Sequence, residues 1–143
     1  MSNTLLRHWL PRIAVALLVL LIAACNSIKP TQARARDMVL YDFSSAVRWG
    51  DFDKAYDFVD PKTKKEHPLT DVERSRFKQV EVSGYDVIAQ TSGEGTIDQQ
   101  VQLGLVNRNT QVPRTIVYHE HWRWDDVIKK WWLASGLPDI SPQ

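Results

Sequence analysis

Cysteine occurs once in the 143 residues, at Cys25, which excludes a disulfide framework and any zinc site built on several thiolates. A membrane-spanning helix is missing too. It needs roughly 20 apolar residues, whereas the uncharged run from Ile13 to Ala24 is shorter and Pro11 and Arg12 stop it extending upstream. An excess of basic charge is also absent: 18 Lys plus Arg face 17 Asp plus Glu with the two signs interspersed, so there is no basic stripe for a phosphate backbone and no nucleic acid is expected as partner. No internal repeat or low-complexity tract breaks the chain. No serine stands in a Gly-x-Ser-x-Gly elbow, which removes the commonest hydrolase arrangement.

What the N-terminus does have is Arg7 and Arg12, then the apolar run, then Leu21-Ile22-Ala23-Ala24-Cys25. These are the charged, apolar and cleavage parts of a secretory signal. Its ending resembles a bacterial lipobox, with Ile22 where leucine is commonest. The resemblance implies cleavage after Ala24, a lipidated Cys25 as the first mature residue, and a lipid-anchored protein of the bacterial cell envelope. Such an anchor carries three acyl chains, more than the two that hold a protein stably on a membrane. Asn26 stands where the strongest inner-membrane retention signal has aspartate, so the expected site is the outer membrane, facing the periplasm. Removing residues 1–24 takes away Arg7 and Arg12 and no acid, so 18 basic residues become 16 against 17 acidic, and the formal charge passes from +1 to −1.

Residues 25–32, polar and containing Pro30, read as the lipidated cysteine and a short tether. Residues 33–143 have the size of one domain. From Ala33 to Trp49 the apolar residues Met38, Val39, Leu40, Phe43, Ala46, Val47 and Trp49 follow a helical period, and Gly50 ends it. Asp51 is placed to cap a second helix whose apolar positions are Phe52, Ala55, Tyr56 and Val59. Asp60-Pro61 stops it, the lysine-rich stretch 62–67 is a solvated turn or short helix, and Thr70 with Glu73 forms a capping box for a helix from Asp71 to Phe77. Beyond Gln79 the period becomes alternating. Val80, Val82, Tyr85, Val87 and Ala89 form a strand that slips at Gly84; Ile97 to Leu105, Arg114 to Trp124 and Lys130 to Ser135 follow. Helices first and then an antiparallel meander of about four strands make the fold α+β.

The stretch Val47-Arg48-Trp49-Gly50-Asp51-Phe52-Asp53-Lys54-Ala55-Tyr56, the alternation of Tyr118, Glu120, Trp122 and Trp124, and the closing Lys130-Trp131-Trp132-Leu133-Ala134-Ser135-Gly136 together resemble the nuclear-transport-factor-2-like, or cystatin-like, fold. The resemblance implies a curved sheet that wraps the long helix as a cone. That fold hosts enzymes, carriers and assembly modules alike, so it names no activity. On the third strand the even positions carry the apolar side chains and belong inside, which makes Tyr118, Glu120, Trp122 and Trp124 the candidate pocket. A carboxylate among aromatics has a raised pKa and is a candidate acid, base or anchor for a cation; the plainer alternative is a structural Glu120 at the open end or paired with an arginine. His119 and His121 face the other way with Arg123. A metal site lacks a full ligand set there, since His67 is the only further histidine of the mature chain.

Trp131 and Trp132 must point to opposite faces of their strand. The resemblance implies that Trp131 and Leu133 go inward, leaving Trp132 beside His121 and Arg123 as a candidate interface; a Trp132 covered by a loop or a lysine stem is the plainer alternative. No catalytic residue, metal or cofactor is implied. Two functions remain. One is a non-enzymatic envelope lipoprotein that binds an envelope protein, or its own copy, as an interaction or assembly module. The other is a carrier of a small apolar ligand, or a cone-pocket enzyme, that uses Glu120. Trp132→Ala is expected to abolish partner binding with little loss of stability in the first case; Glu120→Gln is expected to spare that binding and alter ligand uptake in the second. Pull-down and ligand-uptake assays on the two variants separate them.

Overall fold

In the computed structural model, which describes residues 30–141, four helices precede four strands: α1 (Pro30–Arg48), α2 (Phe52–Tyr56), α3 (Pro61–Glu66), α4 (Asp71–Lys78), β1 (Val80–Gly93), β2 (Thr96–Asn107), β3 (Pro113–Asp125) and β4 (Lys130–Leu133). The signal sequence and Cys25 lie outside the described residues. Arg34–Gln143 forms one compact unit. The strands make a single antiparallel sheet in chain order, β1-β2-β3-β4. The class is α+β.

α1 begins earlier than its apolar period suggests. Pro30 suits a first turn because its missing N–H has no helical partner there, so residues 30–32, expected as tether, belong to the helix. The buried face is narrower than the apolar period: Val39, Phe43, Ala46 and Val47 are buried, whereas Met38 and Trp49 are exposed. Gly50 ends the helix at φ +70°, with Gly50 N–H donating to the Val47 carbonyl (2.9 Å) and Asp51 N–H to the Ala46 carbonyl (2.9 Å). This pair of hydrogen bonds closes a helix through a left-handed residue and favours glycine there. Trp49 is thereby carried past the helix end and out of the core.

α2 is capped by Asp51, which accepts from Lys54 N–H at 3.0 Å, and it ends before Val59. The backbone leaves the helix because Phe58 and Asp60 bond β4 instead. Leu133 N–H donates to the Phe58 carbonyl (2.9 Å) and Asp60 N–H to the Leu133 carbonyl (2.9 Å), forming a parallel bridge at Val59 that satisfies an otherwise open sheet edge. α4 carries the expected capping box between Thr70 and Glu73.

β1 has two register shifts, between Val82 and Gly84 and between Val87 and Ala89. The first is the slip that Gly84 marks. Across from it a Cβ on Gly104 would lie 2.6 Å from Ser83 Oγ and 3.2 Å from the Gly84 nitrogen, so the two strands approach closely at the bulge. Past the second shift every residue to Gly93 is exposed, and Val87 and Ala89 do not enter the core as alternation predicts. β2 and β3 pair without a shift. The helices and the inner face of the sheet enclose one core, with Trp122 edge-on to Phe43 at 5.2 Å between ring centroids.

One polar tie crosses these layers. Asp60 is buried, accepts from Lys62 N–H at 2.8 Å as the α3 cap, and also accepts from Arg123 Nε on β3. The Arg123 hydrogen bond holds the Asp60 carboxyl below the usual carboxylate range, against the opposing effect of burial. A depressed folded pKa gives stability that is present above the unfolded value, about 3.9, and lost as pH falls through the folded value. Asp60→Ala is expected to cost about 1–2 kcal/mol at neutral pH through the lost cap and ion pair. Urea midpoints are expected to show that cost shrinking in acid.

Candidate functional site

Along the inner face of β3 the structure places Tyr118, Glu120 and Trp122 in the core and Trp124 half-buried toward the strand end. Glu120 is 1% exposed. Its Oε2 accepts from Trp122 Nε1 at 2.9 Å and its Oε1 accepts from the Tyr85 hydroxyl on β1. Among the described residues no lysine, arginine or histidine forms an ion pair with it. Removal from water pushes its pKa up, while the two donors act in the opposite direction. Tyr85 and Tyr118 are also pushed up, first by burial and then by the charge of Glu120. Tyr118 donates to the Gly136 carbonyl at 2.6 Å, and Trp124 Nε1 to Asp126 Oδ1 at 3.2 Å. The four residues form a line rather than the wall of one pocket.

Two cavities flank the C-terminal segment instead, and of the four residues only Tyr118 borders either one. One of about 330 Å³ is bounded by Tyr56, His67, Glu73, Arg76 and Phe77 on the helical side and by the C-terminal segment. Another of about 650 Å³ lies on the other side of that segment against Thr115 to His119, including Tyr118. The segment is pinned by Arg114, whose guanidinium donates to the carbonyls of Ile140 and Ser141, and by Arg76, which donates to Ser141 Oγ at 3.1 Å. Glu120 lines neither cavity. Both carboxyl oxygens point at donors already in place, so it has the chemistry of a sealed structural acid.

The three residues of the candidate interface, Trp132, His121 and Arg123, are each engaged within the chain. Trp132 is half-buried, and the Lys130 ammonium lies 3.8 Å from its ring centroid. His121 Nδ1 is 2.6 Å from Asp98 Oδ1 across the β2–β3 register. Arg123 is held by Asp60 and is 3.8 Å from Asp125. His119 is exposed. Among the described residues no group of three His, Cys, Asp or Glu converges as a metal site.

A groove of about 520 Å³ between α1 and β1 went unnoticed in the sequence. Tyr41, Ser45, Arg48 and Trp49 form one wall and Val82 to Asp86 the other. Trp49 is 85% exposed and Tyr41 73%. Arg48 crosses the groove, donating from Nη2 to the Tyr85 carbonyl at 2.9 Å with its guanidinium carbon 5.4 Å from the Tyr85 ring centroid. β1 pairs only with β2, so its other edge has no strand partner among the described residues. Gly50, directly after Trp49, was the available signal, because a helix that closes there turns its last aromatic outward.

No protein-family model matches the chain, and no curated protein does. A solved structure that is similar is the solution structure of a SEC-C motif containing protein from Rhodopseudomonas palustris: 14% identical, TM-score 0.53, covering 66% of this chain and 70% of that one. At that identity the likeness is one of fold.

Burial fixes the sign of one titration. A carboxyl whose folded pKa is raised keeps its proton to higher pH than the unfolded chain does, so it favours folding at acid pH, and that contribution declines as pH rises from the unfolded value, about 4.3, through the folded one. Glu120→Gln mimics the protonated acid in shape, with its oxygen toward Trp122 and its amide toward the Tyr85 oxygen. The variant is expected to fold and to show a flatter dependence of unfolding free energy on pH than the wild type above about pH 4.3. Denaturant titrations across pH check this; an unchanged slope would contradict it.

Proposed function

We propose that this chain is a lipid-anchored protein of the bacterial envelope, held by acylated Cys25 at the outer membrane and facing the periplasm, whose nuclear-transport-factor-2-like domain binds a protein partner without performing chemistry. The order of helices before an antiparallel meander supports the fold assignment. The observation that carries the binding role is the α1–β1 groove, flanked by exposed Trp49 and Tyr41 beside the edge of β1 that has no strand partner among the described residues. Tryptophan, tyrosine and arginine are the residues most enriched among energetic anchors of interfaces, and an open strand edge offers backbone donors and acceptors to an extended segment. Because Trp132, His121 and Arg123 each have an intrachain partner, the groove is the better candidate face. The carrier or enzyme alternative has less support, since the carboxyl of Glu120 is already bonded through both oxygens.

Two readouts in the host test the anchor and the face separately. Labelled palmitate is expected in the wild type and not in Cys25→Ser. A photoreactive residue at position 49 is expected to give a discrete protein adduct that the same residue at position 119 does not. Adducts of equal yield at both positions, or none at 49, would count against the groove.

A further inference from the structure

The turn between β3 and β4 displays two aliphatic side chains to solvent, Val127 at 91% exposure and Ile128 at 57%. Local bonding enforces the display. Asp125 Oδ1 accepts from Val127 N–H (3.0 Å) and Ile128 N–H (3.2 Å), Lys129 adopts a left-handed φ of 55°, and Asp126 Oδ1 takes both Lys129 Nζ (2.6 Å) and Trp124 Nε1 (3.2 Å). Each aspartate thus directs its Oδ1 at the turn or at the adjoining Trp124. Behind the tip lies Lys130 stacked on half-buried Trp132, the lysine–tryptophan pairing suited to the headgroup layer of a bilayer.

The course of α1 says which way this tip faces. Arg48 bonds Tyr85, whose ladder neighbours are Leu103 and then Ile116. Phe43, nearer the helix start, packs on Trp122, which is six residues further along β3 toward its end. α1 therefore runs with its N-terminal part toward the end of the sheet that carries the 125–130 turn. The chain from Cys25 to Pro30 spans at most roughly 18 Å when fully extended, and the first turn of α1 adds about 6 Å before Arg34. An acyl group on Cys25 thus holds Arg34, the start of the domain, within that reach of the lipid surface.

We propose that the 125–130 turn is a membrane-contacting tip, with Val127 and Ile128 entering the interfacial layer of a lipid bilayer and fixing the orientation of the domain on its anchor. This rests on the lipid-anchored reading. Two aliphatic side chains bind a membrane weakly alone, but a tethered tip meets the surface at high effective concentration.

The test uses full-length protein purified from host membranes, reconstituted in phosphatidylethanolamine/phosphatidylglycerol vesicles, with an environment-sensitive fluorophore at Val127→Cys or, at the opposite end of β3, at Val112→Cys. Both positions are exposed, so neither label disturbs the core, and acylated Cys25 has no free thiol to label. The expected result is a blue-shifted emission at 127 that a lipid-borne quencher suppresses, with water-like emission at 112. Water-like emission at 127, a lipid-quenched signal at 112 instead, or a shift at 127 that persists without vesicles, as a protein partner would give, each overturns the tip while leaving the anchor intact. Mass spectrometry of the same sample reads Cys25 directly; an unmodified thiol removes the anchor reading and the tip with it.

Discussion

A carboxyl buried without a cation governs the interior of this domain. Glu120 joins β1 to β3 through Tyr85 and accepts from the indole of Trp122, whose ring meets Phe43 of α1. One acid therefore connects two non-adjacent strands and, through Trp122, the helix that covers them. Such a group is costly to bury unless its oxygens are bonded, and no buried side-chain polar atom among the described residues lacks a partner. The satisfied cluster fixes how β1 and β3 align across the intervening β2, which apolar packing alone specifies loosely.

A second set of polar ties holds what the sheet cannot. Asp60 with Arg123 brings the α3 cap onto β3, and Arg76 with Arg114 holds the segment after β4 against α4 and β3. Arginine suits these positions because its planar fork can hold two oxygens at once. The far edge of β4 is closed by the Val59 bridge, whereas β1 stays open. Among the described residues the two edges of the sheet thus differ: β4 is bridged at Leu133, and β1 has no strand beside it.

The order of elements was legible from periodicity: the change from helical to alternating spacing after Gln79, the capping box at Thr70 and the slip at Gly84 are local signals with local outcomes. Inward placement on β3 followed from its even-numbered aromatics, because a strand's period of two leaves one alternative only. The length of α2 was not legible, since Val59 fits a helical period yet bonds Leu133, a residue far along the chain. Nor were the partners of the candidate residues. Tyr85 for Glu120, Asp60 for Arg123 and Lys130 for Trp132 are choices of tertiary geometry that spacing does not encode, apart from Lys130, which shares a strand face with Trp132. The exposure of Trp49 turns on a single left-handed residue at Gly50.

The distribution of the core along the chain has a consequence for how the protein is made. Among the described residues the strands pair with sequential neighbours, so each hairpin forms from adjacent chain, and such local pairing is fast. The first described helix, however, buries Phe43 against Trp122, a residue of the last quarter, within a core that also holds Leu133. During synthesis that helix has no complete surface to dock on until β3 and β4 have emerged. Core closure therefore waits for the last strands, whatever the order in which the hairpins form.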